Sequence, residues 1–232
     1  MSCYEALAAS YDGLTRDIPY EKYLRFFKGL LKQYGVKPKT VLDLACGTGS
    51  LSVLLAKSGY AVLGVDRSED MLTVAAEKAM ELEENQPFFV AQPMQRLRLP
   101  QPVDACVCAL DSINYVTKPQ DVQKTFCRIY ESLRPGGLFV FDINTPYKLE
   151  SLDGQVFLDE TEDSYCVWRA VYDRRTQLLD AQGQEAAQVD AKWVLVDTQS
   201  RKILREPPEE LAYPFHNEAP DKGHDLSLPK GL

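Results

Sequence analysis

Two carboxylates and a glycine turn carry the chemistry of this sequence. Asp43 lies inside the apolar run Val41-Leu42-Asp43-Leu44, two residues before the turn Cys46-Gly47-Thr48-Gly49. Asp66 closes a second apolar run, Tyr60-Ala61-Val62-Leu63-Gly64-Val65, and stands 19 residues beyond Gly47. An acid about 20 residues after a glycine turn is where a nucleotide-binding βα unit holds ribose hydroxyls. The glycines let a ligand approach the backbone at a helix N-terminus. Gly-Thr-Gly lacks the three-glycine spacing that cradles a pyrophosphate, and a dehydrogenase fingerprint carries an apolar residue where Asp43 stands. The residues therefore point to an adenosine ligand without phosphates.

A second group can move protons. Asp111 and Tyr115 lie in the loop Asp111-Ser112-Ile113-Asn114-Tyr115 after the fourth strand, and Asp142 lies near the end of the fifth. A doubly wound sheet binds its ligands beyond the carboxyl ends of its strands, so this loop faces the same pocket as Gly47 and Asp66. If the reaction needs a general base, these three are the candidates, with a contribution of about 10²–10⁴-fold. They serve equally well as loop caps and ligand contacts. Both histidines, His216 and His224, fall in the last stretch of the chain, which removes the commonest base from the N-terminal part.

The elements that must position these groups alternate. Tyr20, Tyr23, Leu24, Phe27, Leu30, Leu31 and Tyr34 recur at helical spacing, and Gly35 and Pro38 stop the helix. Strands are expected at 41–44, 60–66, 87–91, 103–110 and 138–143. Between them a helix follows Gly49, Ser68 caps a helix over Glu69–Glu84, and Asp121–Leu133 is a helix with Val122, Phe126, Ile129, Tyr130 and Leu133 inward. Arg134-Pro135-Gly136-Gly137 is expected to be a turn. This alternation predicts an α/β fold, a doubly wound and mostly parallel sheet with helices on both faces.

Composition narrows the classes. The chain has 232 residues, 45% hydrophobic and 26% charged, as in an ordinary soluble globular protein. A net charge of −8 argues against nucleic acid as a partner, because phosphate binding needs a basic footprint. No apolar run approaches the ~18 residues of a membrane span, and the N-terminus lacks a signal-peptide core. The six cysteines form no Cys-x-x-Cys pair, so neither a metal site nor a disulfide framework is expected, and the expected compartment is the cytoplasm.

The glycine turn, the acid at Asp66, Leu110-Asp111-Ser112-x-Asn114-Tyr115 and the Arg-Pro-Gly-Gly turn arrive in one order over roughly 11–148. Together they resemble the class I S-adenosylmethionine-dependent methyltransferases, and most closely the small bacterial methyltransferase-domain proteins. The resemblance implies a Rossmann-like sheet and S-adenosylmethionine as cofactor. It implies that Ala45 and Gly47 offer backbone to the methionine part, that Asp66 holds the ribose, and that Asp43, Cys46, Gly49, Arg67 and Met71 belong to the same cofactor site. Gln92, Pro93 and Met94 would flank the adenine, Leu110, Asp111 and Ser112 would approach the methionine part and the methyl, and Tyr11 and Tyr20 would line a lid. Ala45 stands where the family commonly has glycine, and Pro93 where it commonly has an acid. The acceptor is expected to be a small molecule or another non-nucleic-acid group. The alternatives are a non-catalytic cofactor-binding or interaction protein and an NAD(P)-dependent oxidoreductase. Nothing in the sequence speaks to oligomeric state.

From Leu149 the pattern departs from that family. Residues 149–204 read as a β-rich segment, with strands at 164–172 and 189–197, and 205–232 as a proline-rich loose tail. Ala191–Val196 with Lys202-Ile203-Leu204 is similar, over that short stretch and without catalytic residues, to a hairpin of acyl-carrier-protein thioesterases.

Overall fold

The computed structural model describes residues 8, 11–160, 164–176, 178–180, 196–197 and 202–203. The chain divides into two units, Met1–Pro146 and Tyr147–Leu232.

The first unit is built on five parallel strands. They are β1 (Thr40–Leu44), β2 (Ala61–Asp66), β3 (Phe88–Ala91), β4 (Val103–Cys108) and β5 (Leu133–Phe141), in the order β3-β2-β1-β4-β5. Helices α1 (Tyr20–Gln33), α2 (Ser50–Lys57), α3 (Glu69–Met80) and α4 (Pro119–Ser132) accompany them. The side-chain period of two divides β1 and β4 between the faces. Val41, Ala105 and Val107 join Phe27, Leu31, Leu51 and Leu55 in one core. Leu42, Leu44, Cys106 and Cys108 join Ile113 and Ile129 in the other. Successive strands step to one side of β1 until β4 returns to the other, so the order reverses between β1 and β4. A cleft opens at such a point beyond the strand ends.

Several boundaries differ from those expected. α3 ends at Met80 and not at Glu84. Glu81, Glu83 and Glu84 lie against the negative end of the helix dipole, which opposes a further turn. Ser68 caps this helix as expected, accepting the Met71 N–H at 3.3 Å. Arg134-Pro135-Gly136-Gly137 is not a turn outside the sheet: β5 starts at Leu133, and the extra residues form a bulge between the pairs Val103–Leu133 and Ala105–Leu138. A Cβ at Gly137 would stand 2.9 Å from the carbonyl oxygens of Arg134 and Asp104, so only glycine fits there. Of the inward residues expected on α4, Ile129 is buried, but Tyr130 is 82% exposed and Phe126 packs edge-on against Phe139 and Phe141. The apolar stripe of this helix is wider than the face it buries.

In the second unit a short helix, α5 (Pro146–Ser151), precedes antiparallel pairs. β6 (Val156–Glu160), β7 (Ser164–Arg169), β10 (Val196–Asp197) and β11 (Lys202–Ile203) form a sheet in the order β11-β10-β7-β6. β8 (Val171–Asp173) pairs with β9 (Leu178–Asp180). The expected strand at 189–197 and the thioesterase-like stretch fall mostly, and the tail at 205–232 wholly, outside the described residues.

Candidate cofactor site

The glycine turn joins β1 to α2. Its backbone enters the left-handed region at Ala45 (φ 58°), Gly47 (53°) and Gly49 (75°). Gly49 is fixed by crowding: a Cβ there would lie 2.9 Å from Ala75 Cβ and 3.1 Å from the Phe89 ring. Gly47 is the opposite case, since no atom lies within 4 Å of the position its Cβ would take. The crowded glycine seats the turn on α3, and the open one leaves backbone bare toward the cleft.

Asp66 ties this turn to the end of β2. Its Oδ2 accepts the Gly47 N–H at 2.9 Å and its Oδ1 accepts the Ser68 N–H at 2.9 Å. A carboxylate has about four lone-pair positions, so each oxygen keeps capacity for one more donor. Asp43 is 2% exposed, and its Oδ2 accepts the Ser52 hydroxyl at 2.5 Å. Burial pushes its carboxyl up to about 7, against the lowering effect of Ser52. Burial also pushes the Cys46 thiol well up, helped by Asp43 and Asp66, which keeps it an unreactive neutral group.

The loop after β4 holds two more left-handed residues, Leu110 (φ 59°) and Asp111 (φ 48°). Non-glycine residues persist in that region only where their surroundings fix them. Asp111 donates its N–H to Asp142 Oδ2 at 3.1 Å, and its own Oδ2 accepts the Asn144 side-chain amide at 2.7 Å. Asn114 and Asn144 exchange two further bonds of 3.0 and 2.9 Å. The segment just beyond β5 thus holds the loop after β4 in place. Burial raises the Asp142 carboxyl above its ordinary range.

These pieces enclose a cavity of about 360 Å³, a size that suits a small ligand. Asp43, Ala45, Cys46, Gly47 and Asp66 line it from β1, the turn and β2, with Arg67 and Met71 from the start of α3. Gln92, Pro93 and Met94 line the side toward β3, Leu110, Ser112 and Tyr115 the side toward β4, and Tyr11 and Tyr20 come from the N-terminal segment. Gly49, Asp111 and Asp142 are not among the lining residues. Burial raises the Tyr11 hydroxyl well above its ordinary value and pushes Tyr20 up to about 12, so both act as hydrogen-bond donors at neutral pH. Gln92 is committed elsewhere: its side-chain amide exchanges two bonds with the Arg98 backbone, and its N–H is donated to the Asp66 carbonyl at 2.8 Å.

The structure adds residues that the sequence reading missed. Thr48, Ser68, Gln95, Val116, Thr117, Lys118 and Asp121 also line the cavity. Val116–Lys118 extend the loop after β4, and only their place in the sequence just beyond it could have flagged them.

Comparison with known proteins gives the same direction. The family described as "Methyltransferase domain" matches residues 41–137. A protein of Geobacillus sp. (strain WCH70), assigned to the methyltransferases by name, is 39% identical over 167 residues, covering 71% of this chain and 67% of that one. Mouse (Mus musculus) glycine N-methyltransferase is 33% identical over 144 residues, covering 57% and 48%. The chain thus spans about two thirds of the bacterial relative and about half of the mouse one. The crystal structure of an S-adenosylmethionine-dependent methyltransferase from Clostridium acetobutylicum ATCC 824 superposes with a TM-score of 0.66 at 29% identity, covering 80% and 78%.

Proposed function

This chain belongs to the class I S-adenosylmethionine-dependent methyltransferases, and from that membership we propose that it transfers a methyl group to a small-molecule acceptor. The observation that carries the reading is Asp66, which takes one backbone N–H on each oxygen and lines the cavity with acceptor capacity left on both.

The residues present fit the cofactor. Asp66 is suited to a pair of ribose hydroxyls. The open face at Gly47 admits the amino-acid part against bare backbone. The Gly-Thr-Gly turn lacks the three-glycine spacing that cradles a pyrophosphate, which sets the dinucleotide alternative aside. When bound, S-adenosylmethionine supplies an activated methyl on a sulfonium. The chain then has to hold an acceptor in line with it in a space closed to water, and positioning of that kind is worth about 7–11 kcal/mol.

Leu110 and Ser112 flank the place where the methyl would sit, and Tyr115 is the base candidate that faces the cavity. Asp111 and Asp142 are assigned as positioning residues that hold Leu110 and Ser112 in place through the bonds to Asn144 and to the Asp111 N–H. Tyr11 and Tyr20 line the same cavity as neutral donors. A small acceptor is supported by the glycine substrate named for the mouse relative, and the net charge of −8 speaks against nucleic acid. Calorimetric titration with S-adenosylhomocysteine tests the cofactor part: one saturable site in the wild type, weakened in Asp66→Ala, is the expected result.

A further inference from the structure

The segment 11–18 reaches the cavity through Tyr11 and is held by its neighbour. Within the segment, Thr15 donates both its N–H (2.9 Å) and its hydroxyl (2.7 Å) to the Tyr11 carbonyl, and Ile18 N–H bonds to the Thr15 carbonyl at 3.0 Å. The segment is therefore braced internally. Tyr20 ties it to the start of α2 through hydrogen bonds with Thr15 and Ser50, and its charged attachment to the glycine turn and to α3 is Asp12. Asp12 Oδ1 accepts the Thr48 hydroxyl at 2.6 Å, and Oδ2 pairs with Lys78 Nζ at 2.6 Å. Lys78, from α3, also donates to the Ser50 hydroxyl at 2.8 Å and reaches Thr48 Oγ1 at 3.4 Å. One ammonium thus joins α3, the turn, the first residue of α2 and the N-terminal segment.

We propose that Asp12 and Lys78 are positioning residues for the cofactor: their ion pair, seated on Thr48, latches residues 11–18 across the cavity, and cofactor enters and leaves only when the pair opens. Two observations suit a latch. The pair is partly exposed, with side chains 24% (Lys78) and 40% (Asp12) accessible, so water and salt reach both charges. Thr48 is 1% exposed and lines the cavity, so the anchor under the pair is rigid and adjoins the ligand space. The proposal rests on the reading of the cavity as the cofactor site.

The test measures exchange as well as affinity. Tritiated S-adenosylmethionine is bound to the full chain and chased with excess S-adenosylhomocysteine, and association is timed separately. In Asp12→Asn and in Lys78→Met, association and dissociation should each speed up about tenfold, with the equilibrium constant changed by less than about threefold. The swapped pair Asp12→Lys with Lys78→Asp should bring both rates back toward the wild type. Raising salt from about 0.05 to about 0.5 M should speed exchange in the wild type and leave Lys78→Met unchanged. Should Asp12→Asn fail to fold, Lys78→Met and the salt series decide alone. Unaltered rates in the variants overturn the proposal. So does faster dissociation with unchanged association, which would make Asp12 a brace of the bound state only. Absence of equilibrium binding in the wild type would instead overturn the reading of the cavity, and the latch with it.

Discussion

Gly47 donates its backbone N–H to Asp66 across 2.9 Å, so the glycine turn after β1 is held by the acid that ends β2. One carboxylate shapes the turn and also faces the ligand space. Asp66→Ala removes both roles and should weaken S-adenosylhomocysteine binding by about 1.5–3 kcal/mol. Asp66→Asn keeps an acceptor for one of the two N–H groups and should fall between. Calorimetry on the three proteins checks the order, and equal affinities would remove Asp66 from the site.

Ala45 carries a Cβ at φ 58°, where glycine is at ease. Ala45→Gly should relieve that strain and raise stability by about 0.5–1 kcal/mol, less whatever the freer unfolded chain takes back. Urea unfolding of both proteins reads this directly. A loss of stability would mean that the methyl group packs usefully in the turn.

Asp43 gives a pH signature. Burial pushes its carboxyl up to about 7 in the fold, whereas in the unfolded chain it titrates near 3.9. Its contribution to stability is therefore full below about pH 4 and is lost as pH rises through about 7. Asp43→Asn can keep the Ser52 bond without the titration. From pH 5 to 7.5 the variant should gain about 1–3 kcal/mol on the wild type. Parallel stability curves would contradict the assignment.

Asp104 works in the other direction at the far end of the sheet. Its Oδ2 accepts the Lys39 and Thr40 N–H groups at 2.8 Å each and the Thr40 hydroxyl at 2.9 Å, and Arg134 pairs with Oδ1. These hydrogen bonds hold its carboxyl well below the usual range against the opposing effect of burial. Its stabilisation is present above about pH 4 and is lost as pH falls below that. Asp104→Ala should destabilise by about 1.5–3 kcal/mol without changing cofactor affinity. Thermal melts alongside calorimetry separate the two effects.

Pro93 stands before the short helical turn Met94–Arg96 with extended backbone (φ −74°, ψ 141°). Aspartate suits that capping position, so Pro93→Asp should leave the loop intact. If adenine lies against Gln92–Met94, the new carboxylate should tighten S-adenosylhomocysteine binding several-fold. Unchanged affinity in a protein of unchanged melting temperature would place the adenine elsewhere.

The strands were legible wherever both faces are buried, because Val41-Leu42 and Cys106-Val107-Cys108 leave no polar face to argue otherwise. The turn between β1 and α2 was legible because Gly47 and Gly49 have few other reasons to be so spaced. The β5 bulge was not: Pro135-Gly136-Gly137 signals a break in either case, and only the register against Val103 and Ala105 makes it part of a strand. Asp12 and Lys78 were silent for a different reason. A charge on a helix surface and a charge in a latch look alike in sequence, and their meeting across more than sixty residues is a property of the fold. The bonds between Asp111, Asp142 and Asn144 depend in the same way on how β4 and β5 lie together.

Methyl transfer to a small acceptor can be read directly. The most direct measurement incubates the full chain with methyl-labelled S-adenosylmethionine and a cell extract, then separates small molecules, protein and nucleic acid. Label is expected in the small-molecule fraction, formed with S-adenosylhomocysteine in equal amount and reduced in Asp66→Ala. Label confined to nucleic acid or protein, or cofactor bound without any transfer, would contradict it.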